Sequence, residues 1–422
     1  AGLLVLPGGI DVHTHLDLDV GFARSSDDWY TGTVAAACGG TTTVIDHPAF
    51  GPDGCSVFHQ IDAYHELADG KAVIDYGFHG VLQHVNDQVI NDLRGLVERG
   101  VVSSKVYLTY DFKLGDRPIL RILERMKEIG GLTAFHCENH GIVSHFREAH
   151  IKKGNTAPHF HPLSRPHTAE AEAVSRVIRL SESIGNAPIY IVHLSTASGL
   201  EEIRRGRDRG VPVFAETCPQ YLVLDEERYH EPAFAGLKYV MSPPLRTRRD
   251  AAALWDGLAD GAIQVVGTDH CPFNFDEKKE LGSGNFAGCP NGAPGIEARM
   301  ALIHSVGVVA GKFDIVRYAD ITSRLPAKIM GLYPRKGALA PGSDADIVLF
   351  DPNKKVTISH EMLHERVDYT PYEGMGVTVY PVVTMLRGKV IVREGRFTGS
   401  SGDGRYLSRN VPDLSPSSIN AS

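Results

Sequence analysis

The sequence predicts an α/β fold, a TIM-like (β/α)8 barrel with a small β-sandwich portion behind it. Three observations carry that reading. Over residues 7–335, eight short apolar runs alternate with segments whose apolar residues recur at helical spacing. Several of the runs end in histidine, lysine or aspartate, where packing alone would place Val or Ile. Beyond Leu332 the texture changes to short strands and turns.

Taken in order, strands are predicted at 10–15, 42–47, 74–79, 104–107, 133–136, 189–193, 211–216 and 264–269, and eight is the number that closes a barrel. Helices are predicted between them at 57–68, 89–98, 119–129, 169–184, 199–207 and 251–258. The expected organisation is a barrel over 1–335, a sandwich portion over 336–399 and a C-terminal extended arm over 400–422. Within the sandwich, runs at 377–386 and 389–397 predict a hairpin turning on Arg387-Gly388. Ser, Gly, Asn and Pro dominate the last stretch, which therefore reads as extended rather than packed. No internal repeat is visible.

A chain of 422 residues that is 42% hydrophobic and 22% charged can bury a sizeable core in one large domain and a smaller one. Its net charge of −8, from 51 acidic and 43 basic residues, gives no electrostatic reason to expect nucleic acid or a membrane surface as partner. A small-molecule substrate is expected instead. No run approaches the roughly 20 apolar residues that span a bilayer, and the opening residues lack the features of a signal peptide, so a cytoplasmic location is expected. Cys38, Cys55, Cys137, Cys218, Cys271 and Cys289 are scattered without C-x-x-C spacing, which argues against both a disulfide framework and a cysteine zinc site.

The stretch Gly9-Ile10-Asp11-Val12-His13-Thr14-His15 places two histidines one residue apart at the end of an apolar run. Side chains i and i+2 of a strand share a face, so both imidazoles converge. Alone, the pattern arises by chance; its company makes it a metal clamp. Lys105, His136, His193 and Asp269 close other runs, on strands four, five, six and eight, at the end of a barrel where chemistry resides. A protonated lysine repels cations. The oddity resolves if Lys105, held neutral by burial, has reacted with carbon dioxide to give an anionic carbamate bridging two metals roughly 3.5–4 Å apart. His13, His15 and Asp269 would serve the more buried ion, and His136 and His193 the more exposed one. A bridging hydroxide would be the nucleophile, with Asp269 as general base and then general acid.

The chain resembles the dihydropyrimidinase and hydantoinase group of cyclic amidohydrolases from about Val5 to Arg409. The resemblance rests on Pro7-Gly8-Gly9-Ile10-Asp11-Val12-His13-Thr14-His15-Leu16-Asp17, Gly39-Gly40-Thr41-Thr42, Lys105 with Tyr110, and His136-Cys137-Glu138-Asn139. It continues in His193-Leu194-Ser195, Glu216-Thr217-Cys218-Pro219-Gln220-Tyr221, Ser242-Pro243-Pro244-Leu245-Arg246, Gly267-Thr268-Asp269-His270-Cys271 and Pro290-Asn291-Gly292. It implies hydrolytic opening of a neutral cyclic ureide or imide, a dihydropyrimidine or 5-substituted hydantoin, to an N-carbamoyl amino acid. It also implies two divalent ions, zinc being expected, an N6-carboxylysine at Lys105, and a homotetramer. Tyr110 matches the tyrosine whose hydroxyl supports the developing oxyanion, and Ser242 and Asn291 match residues whose backbone groups hold the ring.

Departures from the pattern narrow the substrate. Dihydroorotase-like members commonly carry an arginine after His-x-His-Leu, where this chain has Asp17, so a carboxylate-bearing ring would meet the wrong charge. Allantoinase shares the Ser-Pro-Pro-Leu-Arg segment but typically lacks the tyrosine at Tyr110, which leaves it as the alternative. Non-catalytic scaffold relatives lack part of the ligand set, and a mononuclear deaminase fits poorly with Lys105 and Tyr110. Around residues 18–26 the loop departs from the usual hydantoinase run; Tyr107 and Leu114 are expected to line the pocket. Family members usually open with some fifty residues of sandwich strands, and these are expected to be missing here. The histidines His47, His79, His84, His140, His145, His150, His159, His161 and His167 are expected in surface or loop roles, with His270 supporting Asp269.

Overall fold

All eight expected barrel strands form, and their pairing closes a ring. The structure, a computed structural model, describes residues 2–420. Strand β1 (Leu4–Pro7) precedes the barrel, whose strands are β2 (Gly9–Thr14), β3 (Thr41–Asp46), β4 (Asp75–Phe78), β5 (Gly80–Val81), β6 (Ser103–Tyr107), β7 (Leu132–His136), β8 (Ile189–Ile191), β9 (Val213–Thr217) and β10 (Val265–Val266). Parallel ladders join β2-β3-β4 and β5-β6-β7-β8-β9-β10, and β4 with β5 is one expected strand interrupted at His79. The seam between β2 and β10 is closed by a parallel bridge from Thr14 to His270 and by polar groups of the barrel floor. Asp11 accepts from the Thr268 amide at 3.1 Å and its hydroxyl at 2.6 Å, while the fully buried Arg299 donates to Ile10 O at 3.2 Å and Val266 O at 2.9 Å. That seam sets His13 and His15 beside Asp269.

Helices pack on the outside by the expected apolar stripes. In the helix Asp87–Glu98, Asn86 caps the Val89 amide, and Val89, Leu93 and Leu96 face inward at spacings of four and three. The helix Arg248–Asp260 starts with a Thr247/Asp250 capping box and stops at Gly261, whose φ of 89° suits glycine.

The sandwich portion holds β11 (Ile347–Asp351), β12 (Val356–Thr357), β13 (Gly376–Val377), β14 (Tyr380–Leu386), β15 (Lys389–Arg393) and β16 (Arg396–Phe397). The expected hairpin is β14-β15, with Arg387 at φ 47° and Gly388 at φ 81° as its two-residue turn. Two expectations need correction. Residues 4–7, assigned to the barrel unit, form β1, which pairs antiparallel with β11, so a sandwich strand does precede the barrel. Too short to register as an alternating pattern, it is specified by its partner.

The arm, described over residues 400–420, is not unpacked, and it is extended only as far as a short helix, Pro416–Asn420. Tyr406 bridges parallel to Tyr76, Leu407 is fully buried, and Arg409 donates to Phe78 O and, at 3.1 Å, to Ser103 Oγ. The physical cause is the barrel wall itself: β4 pairs with β3 on one side, and the arm satisfies its other edge below the point where β5 takes up pairing with β6. Lys336 ties the layers together, donating to Asp75 of β4 and to Asp346 beside β11 at 2.6 Å each. Among the described residues no helix is long and apolar enough to cross a membrane.

Candidate metal centre

The expected ligands converge at the carboxyl ends of five barrel strands, in two groups. His13 and His15 leave β2 on the same side, and the Nε2 atoms of both lie 3.1 Å from Oδ1 of Asp269. On the neighbouring strands, Nδ1 of His136 and Nε2 of His193 lie 2.9 Å apart. The His13 and His193 rings are 5.4 Å apart, which brings the two groups together. Lys105 of β6 is buried, with its Nζ 5.2 Å from the Tyr107 ring centre, and it makes no ion pair among the described residues. Burial lowers Lys105 to about 8. Burial also holds His15, His136 and His193 below the usual imidazole range, and the Lys105 charge adds to it for each.

Two carboxylates that sequence reasoning gave no role set the imidazoles. Glu216, at the end of β9, accepts from His13 Nδ1, from Tyr190 Oη at 2.9 Å and from the His193 amide at 3.1 Å. Burial and Lys105 push the His13 ring down, but Glu216 and Asp269 outweigh them and hold it at about 9. Glu138 accepts from His136 Nε2 at 2.8 Å and pairs with Arg165. Burial would raise Glu138, yet Arg165 and the bond from His136 bring it to about 2. Such outer carboxylates orient ligand imidazoles and raise their basicity. Their signal was available: each is an acid in a fully buried position at or just past a strand end.

His47, His79 and His161, expected in surface or loop roles, are all buried, although His47 and His79 do lie just outside their strands. His47 packs 4.3 Å from the His13 ring and 4.0 Å from His79, whose Nε2 bonds Val12 O at 2.9 Å. His161 Nε2 donates to Met241 O at 2.7 Å, since burial keeps that ring neutral by lowering it to about 3. His47 and His79 directly follow strand ends, which is the signal that sequence reading passed over. His270 holds Asp27 at 3.0 Å.

Tyr110, Ser242 and Asn291 lie together above this floor. The Tyr110 ring is 5.5 Å from His136, and Ser242 Oγ is 3.4 Å from Asn291 Oδ1. Asp269, His193 and Tyr110 all adopt left-handed backbone, at φ of 54°, 38° and 71°, which swings each side chain off the strand direction. Two arginines stand near Asp17 and Tyr110. Arg24 pairs with Asp17 at 2.9 Å, and Arg165 lies 5.7 Å from the Tyr110 ring while bound to Glu138. Both charges are therefore committed.

The donor set fits divalent ions. His13 Nε2 is buried without a well-aligned hydrogen bond, although Asp269 Oδ1 is 3.1 Å away, and imidazole with carboxylate is the chemistry that binds such ions.

A parallel barrel with histidine, lysine and aspartate side chains gathered at its strand ends defines the class, and residues 4–391 match the amidohydrolase family. The chain belongs to the amidohydrolase family. It is 50% identical over 409 residues to a D-phenylhydantoinase of Escherichia coli, covering 97% of this chain and 88% of that one. Among solved structures it is similar to a dihydropyrimidinase from Brevibacillus agri, at TM-score 0.96, 44% identity and coverage of 98% and 90%. An L-hydantoinase (dihydropyrimidinase) from Arthrobacter aurescens is more distant, at TM-score 0.87, 27% identity and coverage of 97% and 89%.

Proposed function

We propose that this chain opens the ring of a neutral cyclic ureide, a 5-substituted hydantoin or a dihydropyrimidine, to give an N-carbamoyl amino acid. The observation that supports it most is the pairing of two donor groups, His13/His15/Asp269 and His136/His193, around a buried Lys105. On this reading His13, His15, Asp269, His136 and His193 would hold two divalent ions, zinc being expected, with Lys105 as N6-carboxylysine completing the ligand set. When bound, such ions would polarise the scissile carbonyl and lower the pKa of the attacking water toward neutrality.

Asp269 takes the proton as the water oxygen bonds to the ring carbonyl carbon, then returns it to the ring nitrogen as the carbon–nitrogen bond breaks. Its carboxylate starts ionised: burial would raise it, but His13, His15 and His193 hold it well below the usual range. The Tyr110 hydroxyl donates to the developing oxyanion, a contact worth roughly 3 kcal/mol when well aimed. Backbone groups at Ser242 and Asn291 grip the ring edge, while Tyr107 and Leu114 line the space for its substituent. The names of the more similar relatives favour the D-enantiomer, and the family resemblance carries with it a cytoplasmic homotetramer.

The deciding experiment combines metal analysis with a turnover screen of D- and L-5-phenylhydantoin, dihydrouracil, allantoin and dihydroorotate. Two ions per chain are expected, with kcat/KM for a neutral ring at least about tenfold above dihydroorotate, a difference of roughly 1.4 kcal/mol. A preference for dihydroorotate overturns the reading, and a preference for allantoin replaces it.

A further inference from the structure

Residues 238–243 and 290–293 approach each other above the site without forming a strand ladder, and one side chain reaches both. Lys278, on the helix Phe275–Gly282, is fully buried and has no carboxylate partner among the described residues. Its Nζ donates to Gly292 O at 2.5 Å, Val240 O at 2.9 Å and Lys238 O at 3.4 Å. An ammonium has three N–H donors, and here three backbone carbonyls receive them. Burial lowers its pKa, so an apolar side chain of equal length would fill the space at smaller cost. The Gly292 amide adds a bond to Val240 O at 3.1 Å. Gly292 itself sits at φ 155°, where a Cβ would come within 2.3 Å of Cys271 O, so this segment is pressed against the chain that carries Asp269. Of the other side chains, His161 holds Met241 O, Tyr221 holds Pro243 O and Tyr369 holds Lys238 O in the first segment alone, while Ser242 Oγ reaches Asn291 Oδ1 across the pair at the longer distance of 3.4 Å.

We propose that Lys278 is a positioning residue that sets the distance between the backbone at Ser242 and the backbone at Asn291, and thereby the width of the slot that grips the substrate ring. This rests on the ring-opening reading. Lys278 touches neither the metal ligands nor Asp269, so its loss acts on ring binding more than on turnover.

The test uses the full chain with its metal, as Lys278→Met and the milder Lys278→Gln, on 5-phenylhydantoin. Metal content is expected to stay at the wild-type value, with KM raised at least about tenfold and kcat changed less than about threefold. Merely structural damage would lower the active fraction and leave KM where it was, which overturns the proposal. Amide hydrogen exchange gives a readout independent of substrate: both 238–243 and 290–293 should exchange faster in the variants, with the metal-ligand strands unchanged. Wild-type exchange in both segments overturns the role of Lys278. Absence of hydantoin turnover in the wild type overturns the ring-opening reading instead. If neither variant folds, Lys278 is a stability residue and the proposal falls.

Discussion

One carboxylate oxygen of Asp269 is shared by two imidazoles, leaving the other free to carry a proton. Asp269→Asn keeps an oxygen of similar size in that place but removes the base. A kcat loss of at least about 10²-fold is expected, with metal content falling less than activity; parallel assays of turnover and bound metal check it. Glu216 acts one step further out, through His13 Nδ1. Glu216→Gln should weaken metal binding by about 10- to 100-fold, read by competition with a chelator, because the imidazole loses its anionic partner and part of its basicity. Tyr190 reports on the same change, since its hydroxyl also depends on that carboxylate.

At the scale of elements, the bond joining barrel to sandwich is ionic and dry. Lys336 is 1% exposed and faces Asp75, Asp344 and Asp346, while Arg387 also reaches Asp75. Lys336→Met strands buried carboxylates and should cost about 3–5 kcal/mol in denaturant unfolding. Burial would lower the Lys336 pKa, but Asp346 and Asp75 outweigh it and raise it above the ordinary 10.5. Its contribution is therefore complete below pH 10.5 and is lost as pH rises through the raised folded value. The gap in stability between wild type and Lys336→Met should be flat up to that point and close beyond it.

The elements legible in the sequence were those with their own periodic signal. Helices such as Asp116–Ile129 bury Ile119, Ile122, Leu123 and Met126, a stripe that can be read without neighbours. The convergence of polar side chains at the ends of apolar runs was legible because a polar group there breaks a packing rule. Strand β1 and the packing of Leu407 were not, since each depends on a partner hundreds of residues away. The paired states of Arg24 and Arg165 also needed three dimensions, because their acids lie 7 and 27 residues off in sequence.

For the whole molecule, the C-terminal arm is part of the barrel wall rather than an appendage. Leu407 is fully buried in the core beside Met330 and Leu332, and Leu407→Ala should cost about 2–5 kcal/mol, measured by chemical denaturation. A loss below about 0.5 kcal/mol, the range of surface substitutions, would mean that the arm is dispensable.

The seam between β2 and β10 also orders events in time. His13 and His15 are made before the other residues of the site, but Asp269 and the Asp11–Thr268 bonds that hold it beside them come only after seven further strands have been made. His136, His193 and Lys105 lie closer together along the chain, so their half of the site can gather while the ring is still open. Contacts between such distant segments form late because the intervening chain must first be ordered. During biosynthesis the His13/His15/Asp269 group is thus the last part of the pocket to come together, and it does so only as the cylinder is sealed.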